Sequence, residues 1–320
     1  MRQRRRVRAA EALKRKLNWI EANLPETINR ERARCDDPPP VALRVFQYTS
    51  LAALRDMLAL PGDPVPRELY ATAAPYMNDS REFDHGREVF LHTLDSIVLP
   101  KGDKARKFAR SLIESIARQT DGRQVFCACF SAKHDDLGQW RGYGDNGRGC
   151  SIGFDRMELT SSYNGLAGWV VYESESQTSV VKQLLSSLIE TLAPHLASSA
   201  QSDCVPIVVQ SLERMLPSFF PFFKDAAFRE EEEFRIIYTP RAYSTPLPTR
   251  FHLQGHRLKP YVVLSLTSSQ GPQQLPLREV CLAPGSKDDL TAAAVKTMLS
   301  ERNLRHVEIT RSSIPFIPHA

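Results

Sequence analysis

The segment FREEEEFRIIY, residues 228–238, places four glutamates and two arginines within eleven residues. In an extended chain the side-chain period of two puts Glu231, Glu233 and Arg235 on one face and Glu232, Phe234 and Ile236 on the other. Paired carboxylates are the residue types that stabilise developing positive charge or take up a proton. Crowded on one short strand they repel one another, so a fold keeps them only where a partner charge, a ligand or water compensates. Two readings stay open. Either a ligand meets this face, or Arg235 balances a glutamate in a salt-bridged strand end.

A second stretch, VFCACFSAKHDDLGQWRGYGDNGRGCSIGF (residues 125–154), alternates in the same way. Cys127, Cys129 and Ser131 share one face, while Phe126, Ala128 and Phe130 share the other, with Phe126 and Phe130 as core residues. Cys-x-Cys near His134 lacks a second pair at ligand spacing, so the cysteines read as small buried hydrophobes and no metal site is expected. Asp135 or Asp136 caps a short helix carrying Trp140 and Tyr143 at i, i+3, which puts both rings on one helix face, against a planar ligand or in the core. The glycines of GYGDNGRG form a turn into the next strand. They match neither a Walker loop nor a dinucleotide fingerprint. Serine-hydrolase elbows and His-Glu-x-x-His helices are also absent from the sequence.

These segments need a framework. Strands are expected at 43–49, 69–72, 125–131, 150–154, 169–173, 231–238, 261–266, 278–282 and 307–310, from their β-branched and aromatic content. Helices are expected at 51–60, after Ser50 as N-cap, and at 104–119, 180–196, 205–215 and 288–302, with a further helical region before Pro100 and a turn at Asn78 and Asp79. Strands and helices neither alternate strictly nor segregate, which indicates an α+β domain with a central, mainly antiparallel split sheet and flanking helices. Residues 41–320 form that domain.

Residues 1–40 read as a basic helical arm and a Pro-rich linker. Arg2, Arg4, Arg5, Arg6 and Arg8 open it and supply much of the formal charge of +5. Such a run offers a phosphate contact to nucleic acid, or simply a solvated helix end. Leu13, Leu17, Ile20 and Leu24 come next at helical spacing, an apolar stripe that docks on the body or on a second copy in a homodimer. Pro25 is expected to end this helix. Six cysteines without a repeated spacing indicate reduced thiols and a cytoplasmic location, and no run of residues is apolar enough for a membrane span.

In order along the chain, FQYTSLAALRDML, YMNDSREF, CFS with LGQWRGYGDNGRGCSIGFD, FREEEEFRII, and LREVCLAPGS with SSIPF resemble the bacterial domain-of-unknown-function 2971 family over nearly everything after Val41. The family pattern appears here as Tyr48-Thr49-Ser50, Asn78-Asp79-x-x-Glu82, Cys129-Phe130-Ser131 with Trp140 and Tyr143, Glu231-x-Glu233-Phe234-Arg235, and Gly285. The long arm and Phe228, where tryptophan is more usual, depart from it. The order of parts is in turn similar to that of ADP-ribosyltransferases. That analogy implies an ADP-ribosyltransferase-like fold and an effector that uses NAD to modify a protein or nucleic-acid target, as a toxin or in antiphage defence. It implies Glu233 as the carboxylate that stabilises an oxocarbenium-like ribose and Glu231 as the group that orients or deprotonates the acceptor. It also implies that Tyr48, Thr49, Ser131, Trp140, Tyr143 and Arg235 bind the NAD. The competing expectation is a non-catalytic sensor or interaction module of a bacterial defence system, in which the same carboxylates pair with Arg235 and lysines.

Overall fold

The first turns of the chain run directly into a helix, α1 (Arg2–Ala22), and Pro25 then lies in the first turn of a second helix, α2 (Leu24–Arg34). Proline fits there because a first-turn N–H has no intrahelical acceptor to lose. Pro25 therefore begins a helix rather than simply ending the arm. The computed structural model describes residues 2–58, 68–77, 81–163, 165–197, 201–240, 245–254, 257–265, 267–268, 271–272, 275–286 and 289–316. The expected turn at Asn78 and Asp79 lies outside the described residues.

Twelve strands are present among the described residues: β1 (Arg44–Thr49), β2 (Glu68–Ala73), β3 (Phe126–Ser131), β4 (Cys150–Asp155), β5 (Leu166–Trp169), β6 (Glu233–Tyr238), β7 (Arg250–Gln254), β8 (Arg257–Ser265), β9 (Thr267–Ser268), β10 (Gly271–Pro272), β11 (Leu277–Leu282) and β12 (Glu308–Arg311). β9 and β10 pair only with each other. The rest form one open, mixed sheet in the order β12-β11-β4-β1-β3-β2-β8-β7, with β6 paired to both β3 and β5. Every pairing between these strands is antiparallel except β11 with β12. The α+β class expected from the sequence is thus observed.

The sheet branches at β3. Along one edge β3 pairs with β6 over its whole length, Phe126 opposite Tyr238 through to Ser131 opposite Glu233. Along its other edge it meets β2 at Phe126 and Cys127 but β1 only at Ser131. β1 and β2 therefore part beside Cys129, and a cavity opens there.

The remaining helices are α3 (Leu51–Leu58), α4 (Glu82–Ser96), α5 (Lys104–Gln119), α6 (Leu137–Gly142), α7 (Arg156–Ser161), α8 (Ser174–Leu196), α9 (Gln201–Phe219) and α10 (Asp289–Glu301). The period of β3 divides the core between the two faces of the sheet. Phe126, Ala128 and Phe130 pack with α3, α7 and α10, whereas Cys127 joins the core formed by α1, α2, α4, α5, α8 and α9. Leu13, Leu17, Ile20 and Leu24 of the arm are buried in that second core. The apolar stripe thus docks on the body, chiefly on α9 and α8. Among the described residues no helix is long and apolar enough to cross a membrane.

β7 has no counterpart among the expected strands and β8 starts at Arg257 rather than at 261. Two further strands differ from expectation for local reasons. The expected strand at 169–173 is displaced to β5, where Gly165 and Gly168 weaken the strand signal in the sequence. Glu173 instead precedes α8 as its N-cap. The strand expected from 231 starts at Glu233, because Glu232 takes a left-handed conformation (φ 41°) at the end of a 3-10 turn, residues 226–231. Glu231 therefore lies outside the strand.

Candidate functional site

The short connection between β3 and α6 is pinned by polar side chains. Asp136 caps α6 by accepting from the Gln139 amide at 2.9 Å. Asp135 accepts from Trp140 Nε1 at 2.6 Å and from Ser312 Oγ at 2.7 Å. Tyr48 Oη donates to the Lys133 carbonyl at 2.8 Å and accepts from the Asp136 amide at 3.2 Å. Asp136→Ala is expected to lower stability by about 1 kcal/mol, the usual value of an N-cap, as read by chemical denaturation.

With α6 fixed in this way, the cavity at the parting of β1 and β2 acquires its wall. It holds about 180 Å³. Tyr48, Ser131, Tyr143, Glu231 and Glu233 all line it, and they come from β1, β3, the end of α6, the 3-10 turn and β6. Glu82, Lys224 and Lys259 line it as well. Thr49, Trp140 and Arg235 are not among the lining residues. Trp140 is fully buried and packs edge-on against Tyr48, with ring centroids 4.7 Å apart. Trp140 and Tyr143 therefore part company: one ring supports Tyr48 from behind, and the other faces the cavity.

The charged groups form one buried network. Arg235, with no exposed surface, donates from Nε to Glu233 Oε1 at 2.8 Å, from Nη2 to Glu233 Oε2 at 2.6 Å, and from Nη1 to the Pro221 carbonyl at 2.5 Å; Nη2 also meets Glu82. Lys224 bridges three carboxylates, reaching Glu231 at 2.6 Å, Glu233 at 3.1 Å and Glu82 at 3.2 Å. Its ammonium also lies 4.8 Å from the centre of the Phe228 ring, so phenylalanine supplies at this position a cation–π face that tryptophan would supply more strongly. Tyr143 Oη donates to Glu231 Oε1 at 2.9 Å. Ser131 Oγ donates to the Glu231 carbonyl at 2.7 Å and accepts from the Lys133 amide at 3.1 Å, which anchors the turn that carries Glu231.

These contacts set the protonation states. Burial pushes Glu233 up, but the Arg235 and Lys224 charges outweigh it and hold the carboxyl at about 2, so it is an anion at any ordinary pH. For Glu82 burial dominates over the pull of Arg235, the neighbouring Glu233 adds repulsion, and its pKa is raised. Two carboxylates that share one guanidinium are thus driven apart, Glu233 downward and Glu82 upward. Burial also pushes Cys127 up to about 12 and Cys129 well above the ordinary thiol range, so both stay protonated and neither is an activated nucleophile. Burial and then the Glu231 charge raise Tyr143.

Two members of this network lie outside the residues to which the sequence pattern gives a role. Glu82 sits in the Asn-Asp-x-x-Glu segment but carries no strand or helix periodicity that would aim it at Glu233. Lys224 ends the run FFPFFK, and a lone lysine closing an aromatic run is the only signal it leaves in the sequence. Glu231 is the more open of the two expected carboxylates, with 18% of its side chain exposed against 7% for Glu233. Among the described residues no group of three His, Cys, Asp or Glu side chains is arranged to hold a metal ion.

Residues 139–236 match the model of a family described as "Protein of unknown function (DUF2971)", which bears out the family resemblance over that segment. The matched segment contains Tyr143, Lys224, Glu231, Glu233 and Arg235, whereas Tyr48, Glu82 and Ser131 lie before it. No curated protein and no solved structure matches the chain.

Proposed function

We propose that the cavity is the active site of an ADP-ribosyltransferase-like effector, one that breaks the nicotinamide–ribose bond of NAD and passes ADP-ribose to a macromolecular acceptor. The observation that carries this reading is the convergence of Tyr48, Ser131, Tyr143, Glu231 and Glu233, from separate elements, on one cavity. Its volume of about 180 Å³ is below the range of roughly 300–1,000 Å³ usual for whole drug-sized ligands. It suits one ring-sized portion, the nicotinamide end, with the remainder of the dinucleotide beyond the mouth.

The chemistry asks little of any single residue. As the C–N bond breaks, its electron pair leaves with neutral nicotinamide and positive charge grows on the ribose. Glu233, held as an anion and itself buried, stabilises that charge. Glu231 is the carboxylate that a substrate reaches first; it takes the proton of the attacking acceptor group as the new bond to the ribose forms. Tyr48 and Tyr143 bound the ring, and Arg235 acts from behind by fixing Glu233.

A second reading rests on a specific observation. Both oxygens of Glu233 already accept from Arg235 or Lys224, which favours a module that binds a ligand without cleaving it. The decisive test incubates the wild type and Glu231→Gln with radiolabelled NAD and a lysate containing proteins and nucleic acids. Label transferred by the wild type and lost in Glu231→Gln, with the fold of the variant intact by circular dichroism, is the expected result. NAD bound but left whole by the wild type would move the site to the second reading, and neither binding nor nicotinamide release would defeat the proposal.

A further inference from the structure

The hairpin of β7 and β8 has two unlike faces. In its register Arg250 stands opposite Tyr261 and His252 opposite Lys259, and Arg257 lies two residues before Lys259 on the same strand. The period of two therefore gathers Arg250, His252, Arg257, Lys259 and Tyr261 on one face. This is the face that meets the cavity, because Lys259 is one of the cavity's lining residues. Arg250, His252 and Arg257 are exposed, and Lys259 and Tyr261 are half-buried.

Among the described side chains the charge on this face is unbalanced. No carboxylate whose side chain is described lies within ion-pair distance of Arg250, His252, Arg257 or Lys259. Burial lowers the pKa of Lys259 and the Arg257 charge lowers it further; burial and then Lys259 do the same to His252. Like charges set across neighbouring strands destabilise a sheet unless something else meets them. Lys224 in the same cavity presents the contrast, since it is neutralised by three glutamates.

Aromatic rings run between these cations. The His252 ring lies 5.4 Å from the Tyr261 ring, and Tyr261 lies 5.3 Å from Tyr70, which lines the cavity. A row of rings thus leads from the outer strand to the cavity mouth. Cations interleaved with aromatic rings on an open sheet face are the arrangement that takes single-stranded nucleic acid, with phosphates on the cations and bases on the rings. At about 3.4 Å per residue, β7 provides a face longer than the two adjacent phosphates of a dinucleotide require.

We propose that a single strand of nucleic acid lies across the β7–β8 face, with its phosphates on Arg250, Arg257 and Lys259 and its bases against His252 and Tyr261, and leads into the cavity. Resting on the transferase reading, this makes nucleic acid the acceptor. The surface is separate from the basic arm, which packs on α8 and α9.

The test is fluorescence anisotropy with a labelled 12-nucleotide RNA, its DNA counterpart and a duplex, without NAD. The wild type is expected to bind the single strands more tightly than the duplex. Replacing Arg250, Arg257 and Lys259 together by alanine should weaken binding at least tenfold and reduce the salt slope by about 2, since each phosphate contact on a single strand contributes about 0.7. Tyr261→Ala should weaken single-strand binding and leave any duplex binding unchanged. These positions are exposed or half-buried, so an unaltered melting temperature serves as the fold control. Absent binding, binding that survives the triple replacement, or binding lost instead when Arg4, Arg5, Arg6 and Arg8 become alanine would overturn the proposal. So would stronger competition by an acidic peptide than by unlabelled RNA. Oligonucleotide binding without NAD cleavage would leave this surface standing and remove only the transferase reading.

Discussion

Glu233→Ala is expected to lower stability by about 3–5 kcal/mol, the cost of breaking a buried ion pair by removing one partner. The variant deprives Arg235, which has no exposed surface, and the buried Lys224 of the carboxylate they share most closely, leaving Glu82 to both and Glu231 to Lys224. Glu233→Gln separates charge from volume. It keeps the side chain's shape, and it also removes the charge that repels Glu82, whose carboxyl then ionises more readily beside Arg235. Its loss should therefore be smaller than that of the alanine variant. The pH dependence has a defined sign. Glu233 falls from an ordinary 4.5 to about 2, so its contribution is fully present above about 4.5 and is lost as pH falls through about 2. Glu82, with a raised pKa, contributes in the opposite sense, below its unfolded value, and that contribution is lost as pH rises through the folded one. Urea melts at pH 7 and pH 3 would show a smaller loss in acid for Glu233→Gln than for the wild type, both proteins keeping the acid loss from Asp135 and Glu279, whose pKa values are also lowered. Equal acid sensitivity in both proteins would exclude Glu233 as its source.

Gly86→Val is expected to destabilise by about 3 kcal/mol, the upper end of the usual overpacking cost, although no polar group is removed. A Cβ at Gly86 would stand 2.2 Å from the Phe220 carbonyl oxygen and 2.9 Å from its Cα, both backbone atoms that cannot swing aside. Gly86 lies one helical turn after Glu82 on the same face of α4, and the close approach that glycine allows brings Glu82 to the Arg235 guanidinium beside the Pro221 carbonyl. Valine should push α4 outward, separate Glu82 from Arg235 and loosen the cavity as well as the core. A thermal melt reads the first effect. A fall in binding of whatever ligand the wild type takes reads the second, and a variant as stable as the wild type would show that α4 has room to shift.

Most elements are legible in the amino-acid order, because periodicity is a local property. Ser50 caps α3 at 3.1 Å from the Ala53 amide, Lys104–Gln119 is helical, and β3 sorts Phe126, Ala128 and Phe130 from Cys127, Cys129 and Ser131 as the two-residue period requires. The need for compensation around Glu233 is legible too, since repulsion between close charges does not depend on the fold. The departure of Glu231 from the strand is not, because one left-handed residue, Glu232, breaks the period without a glycine to mark it. Nor are the compensating charges. Glu82 reaches Arg235 across 153 positions, and Lys224 meets Glu233 only because the chain turns back through residues 226–231. The basic hairpin face is hidden for the same reason. Arg250 and Lys259 become neighbours through strand register, and Tyr70 joins their row of rings through the pairing of β2 with β8. Local sequence governs where backbone bonds are satisfied, but a cavity and its electrostatics are sums over residues that come within a few ångströms of one another only when the whole chain has packed.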